Sequence, residues 1–370
     1  MARIVYGVSG EGSGHSSRAR EILTHLLSKG HEIKVVSYDR GYRNLSSDFD
    51  QNKLAKNEFN SHELEISEIT GLTIVSEDNK ISPIRTLLEN LKGLPDGIKS
   101  FRTTRKMLFK RFKPDCVITD FEPTTAYLAN YYNVPLISLD NQHRMRYMEY
   151  SRPSEFAKDA LVTEAVIRAM VPKPDVSLVT TFHLGEVNNN HTFLFPPILR
   201  QNVLSLIPTT EEHILVYATS GFETLLDILK GFSQETFVVY GYDKDEQEGN
   251  IQFRSFSKTG FLDDLASCKA VIATAGFTLI TESLHLAKPY LALPMKGQFE
   301  QVLNALMLDK HGYGKASFDL KPDDISAFLY QLPEYNKHLA DYPREGNSKI
   351  MAFIDALFEH DGQNLKQYRP

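Results

Sequence analysis

The chain has 370 residues, more than a typical single domain and enough for two. Apolar residues make up 42% and charged residues 24%, an ordinary balance for a globular protein, and a formal charge of −6 with pI about 6.1 argues against a general nucleic-acid binder. The two cysteines, Cys116 and Cys268, sit far apart in apolar strand contexts, which points to buried free thiols in a reducing compartment, and no Cys or His spacing suits a metal.

MARIVYGVSG enters directly as a core strand, Arg3 to Val8, rather than as a signal peptide. No run approaches the roughly 18 apolar residues that span a membrane. A soluble cytoplasmic protein is expected, with peripheral contact at the inner face of the membrane still allowed. The loop Ser9-Gly10-Glu11-Gly12-Ser13-Gly14-His15 then leads into a helix from Ser16 to Ser28, with Ile22, Leu23, Leu26 and Leu27 on one side and Gly30 as its cap. His31 to Ser37 is the second strand. Gly10, Gly12 and Gly14 after a strand suggest a nucleotide-binding turn, with Gly12 and Gly14 as contacts, although the last glycine of the dinucleotide spacing is missing. His15 offers a second use. A neutral imidazole at a helix start, over the strand edge, can take a proton from an acceptor hydroxyl. Capping or packing is the competing role.

Residues 41–80 are polar and weakly periodic, with room for one short helix or hairpin among variable loops. Residues 81–113 carry nine basic side chains from Arg85 to Lys113 against Glu89 and Asp96, with apolar residues at roughly helical spacing. Such a segment either packs its apolar face into the core or lies on an anionic membrane surface, each basic group there contributing about 1 kcal/mol. An anionic or lipid-linked acceptor is a third use. Pro114 to Asp120 is a strand ending in an acid at the edge that should face His15. There Asp120 can hold the imidazole tautomer and stabilise its protonated form, with Glu122 as the alternative. A helix from Thr124 to Tyr131 and a strand from Val134 to Leu139 follow. Asn141, Gln142 and His143 come next, as acceptor-side residues or as turn residues. Pro153 to Met170 reads as a helix and Val176 to Thr180 as a strand. Pro196-Pro197 opens a linker that runs to about Thr210.

The chain then restarts. His213 to Tyr217 is a strand, Ala218-Thr219-Ser220-Gly221 a small-residue turn and Phe222 to Leu229 a helix, repeating Val5 to Leu27. Thr219, Ser220 and Gly221 would offer hydroxyl and amide donors to a phosphate. Two similar α/β halves imply two Rossmann-like domains facing each other across a central cleft, residues 1–196 and 211–345. The stretch Val271 to Asn304, VIATAGFTLITESLHLAKPYLALPMKGQFEQVLN, holds the densest pattern: strand, glycine turn, helix, strand, polar loop, helix. Backbone N–H groups of Gly276, Phe277 and Thr278 would lie at a helix N-terminus, which welcomes a diphosphate. Glu282 lies one turn on, where an acid can accept both hydroxyls of a ribose. Gln298, Glu300 and Gln301 follow the next strand at the same sheet edge, where ligands of open α/β sheets bind. A structural βαβ unit with surface Glu and Gln is the competing reading. After Asp323 to Gln331, the last long helix is expected over Gly346 to Glu359, with a polar, frayed tail from His360 to Pro370.

AGFTLITESLHLAKPYLALPMKGQFEQVLNA resembles the donor-nucleotide motif of GT-B glycosyltransferases, the group around the peptidoglycan N-acetylglucosaminyltransferase (family 28) and the natural-product and plant UDP-sugar transferases (family 1). The shared pattern is a small-residue turn, T-x-x-E, a strand stopped by Pro and then Q/E-Q-x-x-N-A. GEGSGHSSRAREI likewise resembles their glycine-rich first loop, G-x-G-H before an Arg-bearing helix. The chain departs from many relatives in having Thr274-Ala275-Gly276-Phe277 where they carry His-Gly-Gly or Gly-Gly, which leaves the phosphate to backbone groups. The resemblance implies a GT-B fold, with the acceptor in the first domain, the donor in the second and residues 346–370 crossing back to the first. It implies His15 as the base, Asp120 as its partner and backbone near Phe261 reading the nucleobase. The implied reaction is metal-independent, inverting transfer of a hexosyl or N-acetylhexosaminyl unit from a UDP-sugar, with no added cofactor. The acceptor would be a sugar, a lipid-linked molecule or a small molecule, in cell-envelope or glycolipid synthesis. A UDP-N-acetylglucosamine 2-epimerase of the same two-domain fold and a non-catalytic nucleotide-sugar or glycolipid binder are the alternatives.

Overall fold

The computed structural model describes residues 1–50, 63–71, 76–77, 80–81, 94–218 and 223–366. Its contacts divide the chain into two compact units, Met1–Val75 with Ile81–Arg200 and Glu345–Pro370, and Ser76–Lys80 with Gln201–Arg344.

The first unit is built on a seven-stranded sheet in the order Leu64–Glu68, Glu32–Ser37, Arg3–Val8, Cys116–Asp120, Leu136–Asp140, Val176–Thr180, Thr192–Phe195. Its neighbours all pair in parallel. Both faces are covered, so the central strands are continuous apolar runs rather than alternating ones. Alternate residues of the first strand serve different cores. Ile4, Tyr6 and Val8 pack with Ile22, Leu23 and Leu26 of the helix Gly14–Ser28 and with Ile350, Ile354 and Leu357 of the helix Ser348–Lys366. Val5 packs on the other side with Leu108, Phe109, Phe112 and Ala126. The first residues of that group come from the basic segment. There a helix over Leu94–Thr104 continues with π-type bonding over Arg105–Phe112. Its apolar residues Leu108, Phe109 and Phe112 are spent in the core, while Arg102, Lys106, Lys110 and Arg111 are exposed. Residues 82–93 of this segment lie outside the described residues.

Some elements differ from the sequence expectation. The polar stretch after residue 40 contains a helix, Asp39–Asp48, and also a full strand, Leu64–Glu68, at the sheet edge, where one-sided burial leaves little apolar signal. The last helix runs on to Lys366 instead of fraying at His360. Leu365 is buried against the first core and anchors that final turn.

The second unit repeats the plan. Its sheet runs Glu246–Glu248, Ile251–Arg254, Thr236–Tyr240, His213–Tyr217, Ala270–Thr274, Tyr290–Leu293, Gly314–Ala316. All pairs are parallel except the Glu246–Glu248 edge strand. In both units the first strand lies between the strand that follows it and one that comes much later. That arrangement places a topological switch point at the carboxyl ends of Arg3–Val8 and Cys116–Asp120 in one unit, and of His213–Tyr217 and Ala270–Thr274 in the other. Cys116 and Cys268 are free and buried; burial pushes the Cys268 thiol up to about 12.

Candidate active site

At the first switch point Val8 lies beside Asp120 in register, and the Ser9 N–H donates to the Asp120 carbonyl at 2.9 Å. The glycine loop therefore leaves the sheet directly against the acid. Gly10 is required there, since a Cβ would stand 2.2 Å from the Tyr38 carbonyl oxygen, and Gly12 takes φ +70°. His15 falls in the first turn of the following helix. Its Nδ1 is 2.6 Å from Asp120 Oδ1, with the imidazole 11% exposed and the carboxylate fully buried. Phe121 holds a left-handed backbone, φ 57°, immediately after the acid, and its ring stacks near the imidazole with centroids 6.4 Å apart. Backbone strain of this kind concentrates at functional sites.

Of the two acids read as partners, Asp120 is the one against His15. Glu122 instead caps the helix Pro123–Tyr132, accepting from the Thr124 and Thr125 N–H groups at 2.7 Å each and from the Thr125 hydroxyl at 2.7 Å. Burial raises the Glu122 pKa, and the hydrogen bonds from Thr125 and Thr124 only partly offset this.

Two features were not read from the sequence. Arg18, 6% exposed, grips Asp120 with Nε to Oδ2 at 2.8 Å and Nη2 to Oδ1 at 2.6 Å, and its Nη1 donates to Asn141 Oδ1 at 3.1 Å. An arginine three residues after His15, among the apolar positions Ala19 and Ile22, was the available signal: residues three apart share a helix face. Burial works against its charge, but Asp120 and then Asp140 raise its pKa above the ordinary arginine value. The second feature is another acid–histidine pair, one strand along. His143 Nδ1 is 2.7 Å from Asp140 Oδ2 and its N–H donates to Oδ1 at 2.8 Å, with both side chains fully buried. Burial pushes the Asp140 carboxyl up, but His143 and Arg18 leave it below the ordinary aspartate value. Asn141, Gln142 and His143 are thus packed inside the first unit.

At the second switch point the strand Ala270–Thr274 turns sharply, the Gly276 N–H donating to the Thr274 carbonyl at 2.8 Å, and the helix Phe277–His285 begins. Gly276 is its N-cap, without a capping side chain, and a Cβ there would meet nothing within 4 Å. The helix end is therefore open at Gly276, with the Phe277 and Thr278 N–H groups in its first turn. The turn is pinned from outside: the Tyr290 hydroxyl donates to the Thr274 carbonyl at 2.7 Å and the buried Asn304 amide to the Ala275 carbonyl at 2.8 Å. Glu282 lies on this helix but is only 2% exposed. Gln298 and Gln301 bond each other, Nε2 to Oε1 at 2.6 Å, and Gln301 Oε1 accepts from the Met295 N–H at 3.1 Å, which shapes the loop before the helix Phe299–Lys310. Phe261 is buried among Tyr217, Tyr240 and Phe256. Thr219, Ser220 and Gly221 lie outside the described residues. Among the described residues no group of three His, Cys, Asp or Glu side chains is placed to hold a metal ion, and no helix is long and apolar enough to cross a membrane.

Comparison with known proteins bears on the fold and the family. A glycosyltransferase of Methanosarcina mazei, described as uncharacterized, is 24% identical over 364 residues, 91% of each chain. The glycotransferase of kitacinnamycin superposes with a TM-score of 0.67 at 15% identity, over 96% of this chain and 98% of that one. LpCGTa in complex with UDP gives a TM-score of 0.63 at 13% identity, over 99% and 98%. These structures show the fold, that of the GT-B glycosyltransferases. The sequence pattern of glycosyl transferase family 1 matches residues 2–333, so the chain belongs to that family and is a glycosyltransferase.

Proposed function

We propose that the chain transfers a sugar from a UDP-sugar to an acceptor hydroxyl by direct, inverting displacement. His15 takes the acceptor proton, and Asp120 stabilises the imidazolium that forms. The observation that carries this reading is the 2.6 Å contact between His15 Nδ1 and the buried Asp120 carboxylate, in a chain of this family. With Nδ1 turned to the acid, Nε2 is left to receive the proton.

The leaving UDP is assigned to the second unit. Main-chain N–H groups of Phe277 and Thr278 and the dipole of their helix are assigned to its diphosphate as charge develops, the Gly276 N–H being given to the Thr274 carbonyl. Ser220 and Gly221 are assigned supporting phosphate contacts, and Glu282, Gln298 and Gln301 the sugar and ribose hydroxyls. The backbone around Phe261 is assigned the nucleobase edge. A helix N-terminus can supply the stabilising charge, so the reading is metal-independent. UDP is chosen because LpCGTa, of the same fold, binds it.

The test is UDP release from a panel of UDP-sugars with hydroxyl acceptors, followed by NMR of the product anomer. Transfer with inversion supports the scheme, and retention of configuration defeats it. Turnover of a UDP-sugar without any acceptor or hydrolysis would favour the epimerase reading instead.

A further inference from the structure

Two side chains meet at one carboxylate oxygen. Asp120 Oδ1 lies 2.6 Å from His15 Nδ1 and 2.6 Å from Arg18 Nη2, while Oδ2 takes Arg18 Nε at 2.8 Å. Arg18 Nη2 and His15 Nδ1 stand 3.3 Å apart. A guanidinium has no acceptor, so that separation is either Nη2 donating to a bare Nδ1 or two donors sharing Oδ1. The 2.6 Å contact decides it. A bare Nδ1 against an ionised carboxylate would set two lone pairs at that distance, whereas an Nδ1–H makes a charge-assisted bond. The outcome depends on Asp120 being ionised, and the guanidinium fork ensures that: bidentate, buried and itself fixed by Asn141. The neighbouring Asp140 does not compete for the fork, because its carboxylate is taken by His143. Tyr6, on the adjoining strand, faces the same cluster, and burial together with Asp120 raises its hydroxyl well above the ordinary tyrosine value, so it stays neutral.

We propose that Arg18 is a positioning residue: by holding Asp120 as a pure acceptor, it fixes the His15 proton on Nδ1 and leaves Nε2 bare. An isolated buried ion pair would need only Arg18 and Asp120; the imidazole bonded to the same oxygen turns the pair into a device that sets a tautomer. The use of the bare Nε2 as a base rests on the proposed reaction. The location of the proton does not.

The experiment is 15N NMR of the histidine-labelled full chain, with the His15 signals identified by their loss in His15→Gln. The Nδ1–H pattern is expected in the wild type. Arg18→Gln should mix in the Nε2–H tautomer and lower kcat by about tenfold to a hundredfold, with the donor KM little changed. Arg18→Lys, which keeps the charge, should restore part of both. An unchanged His15 signal in folded Arg18→Gln overturns the proposal. If Arg18→Gln does not fold, the wild type decides, since an Nε2–H signal for His15 there overturns it equally. A shifted tautomer in a protein that transfers no sugar would leave the role of Arg18 intact and sink the proposed reaction.

Discussion

In the first unit the candidate chemistry rests on side chains drawn from far apart: His15 meets Asp120 across 105 positions and Arg18 meets Asn141 across 123. In the second it rests on main-chain groups of one short turn, tied down by Tyr290 and Asn304 from 16 and 29 positions downstream. The two kinds of centre should fail differently. A side-chain centre loses its chemistry with one substitution. A backbone centre survives most side-chain changes near it and yields only when the supports of the turn are removed. The first suits a proton transfer, which needs one atom of the right basicity. The second suits a diphosphate, which needs several donors held in place and no proton exchange.

The sharpest way to break this contrast is His15→Ala. It should lower kcat by about 10²–10⁴-fold while leaving the donor KM nearly unchanged, read by steady-state kinetics. Asp120→Ala comes next. It leaves the Arg18 guanidinium buried without its carboxylate, so denaturant unfolding should show a loss of about 3–5 kcal/mol in addition to the loss of rate. Asn304→Ala tests the other side. The Ala275 carbonyl loses its donor at a buried turn, a cost of about 1–3 kcal/mol, and UDP affinity should fall while proton transfer at His15 is untouched. The smallest effect concerns the end of the chain. Asp355 joins the last helix to His25 at 2.8 Å and to Lys29 at 2.8 Å. Burial pushes the Asp355 carboxyl up, but Lys29 and His25 hold it below its ordinary 3.8. Its contribution is therefore present above pH 3.8 and lost as the pH falls through its lower folded value. Asp355→Asn should cost up to about 1 kcal/mol near neutral pH, and its unfolding curve should merge with that of the wild type in strong acid.

The backbone centre was the more legible in the sequence because everything that makes it is local. Strand, glycine turn, helix and following strand succeed one another from Val271, and even the pinning Asn304 belongs to the same run. The side-chain centre was legible only in part. His15 stood out because it ends a glycine loop, and Asp120 because it ends a strand. The sequence favoured Asp120 but left Glu122 open as the alternative, since ruling it out depends on Glu122 facing the first N–H groups of its own helix. Arg18 was hidden because a buried arginine reads as a surface one until its partners, more than 100 positions away, are known. The edge strand Leu64–Glu68 was missed because half of its surface is not apolar, and Leu365 because one apolar residue in a polar tail carries no periodicity.

The most direct test of the division of labour is a calorimetric titration of UDP into wild-type and His15→Ala protein. The expected result is binding in both with the same affinity, within about twofold, because the diphosphate is assigned to the main-chain N–H groups of Phe277 and Thr278 and not to the imidazole. Failure of UDP to bind either protein, or binding that disappears with His15, would contradict it.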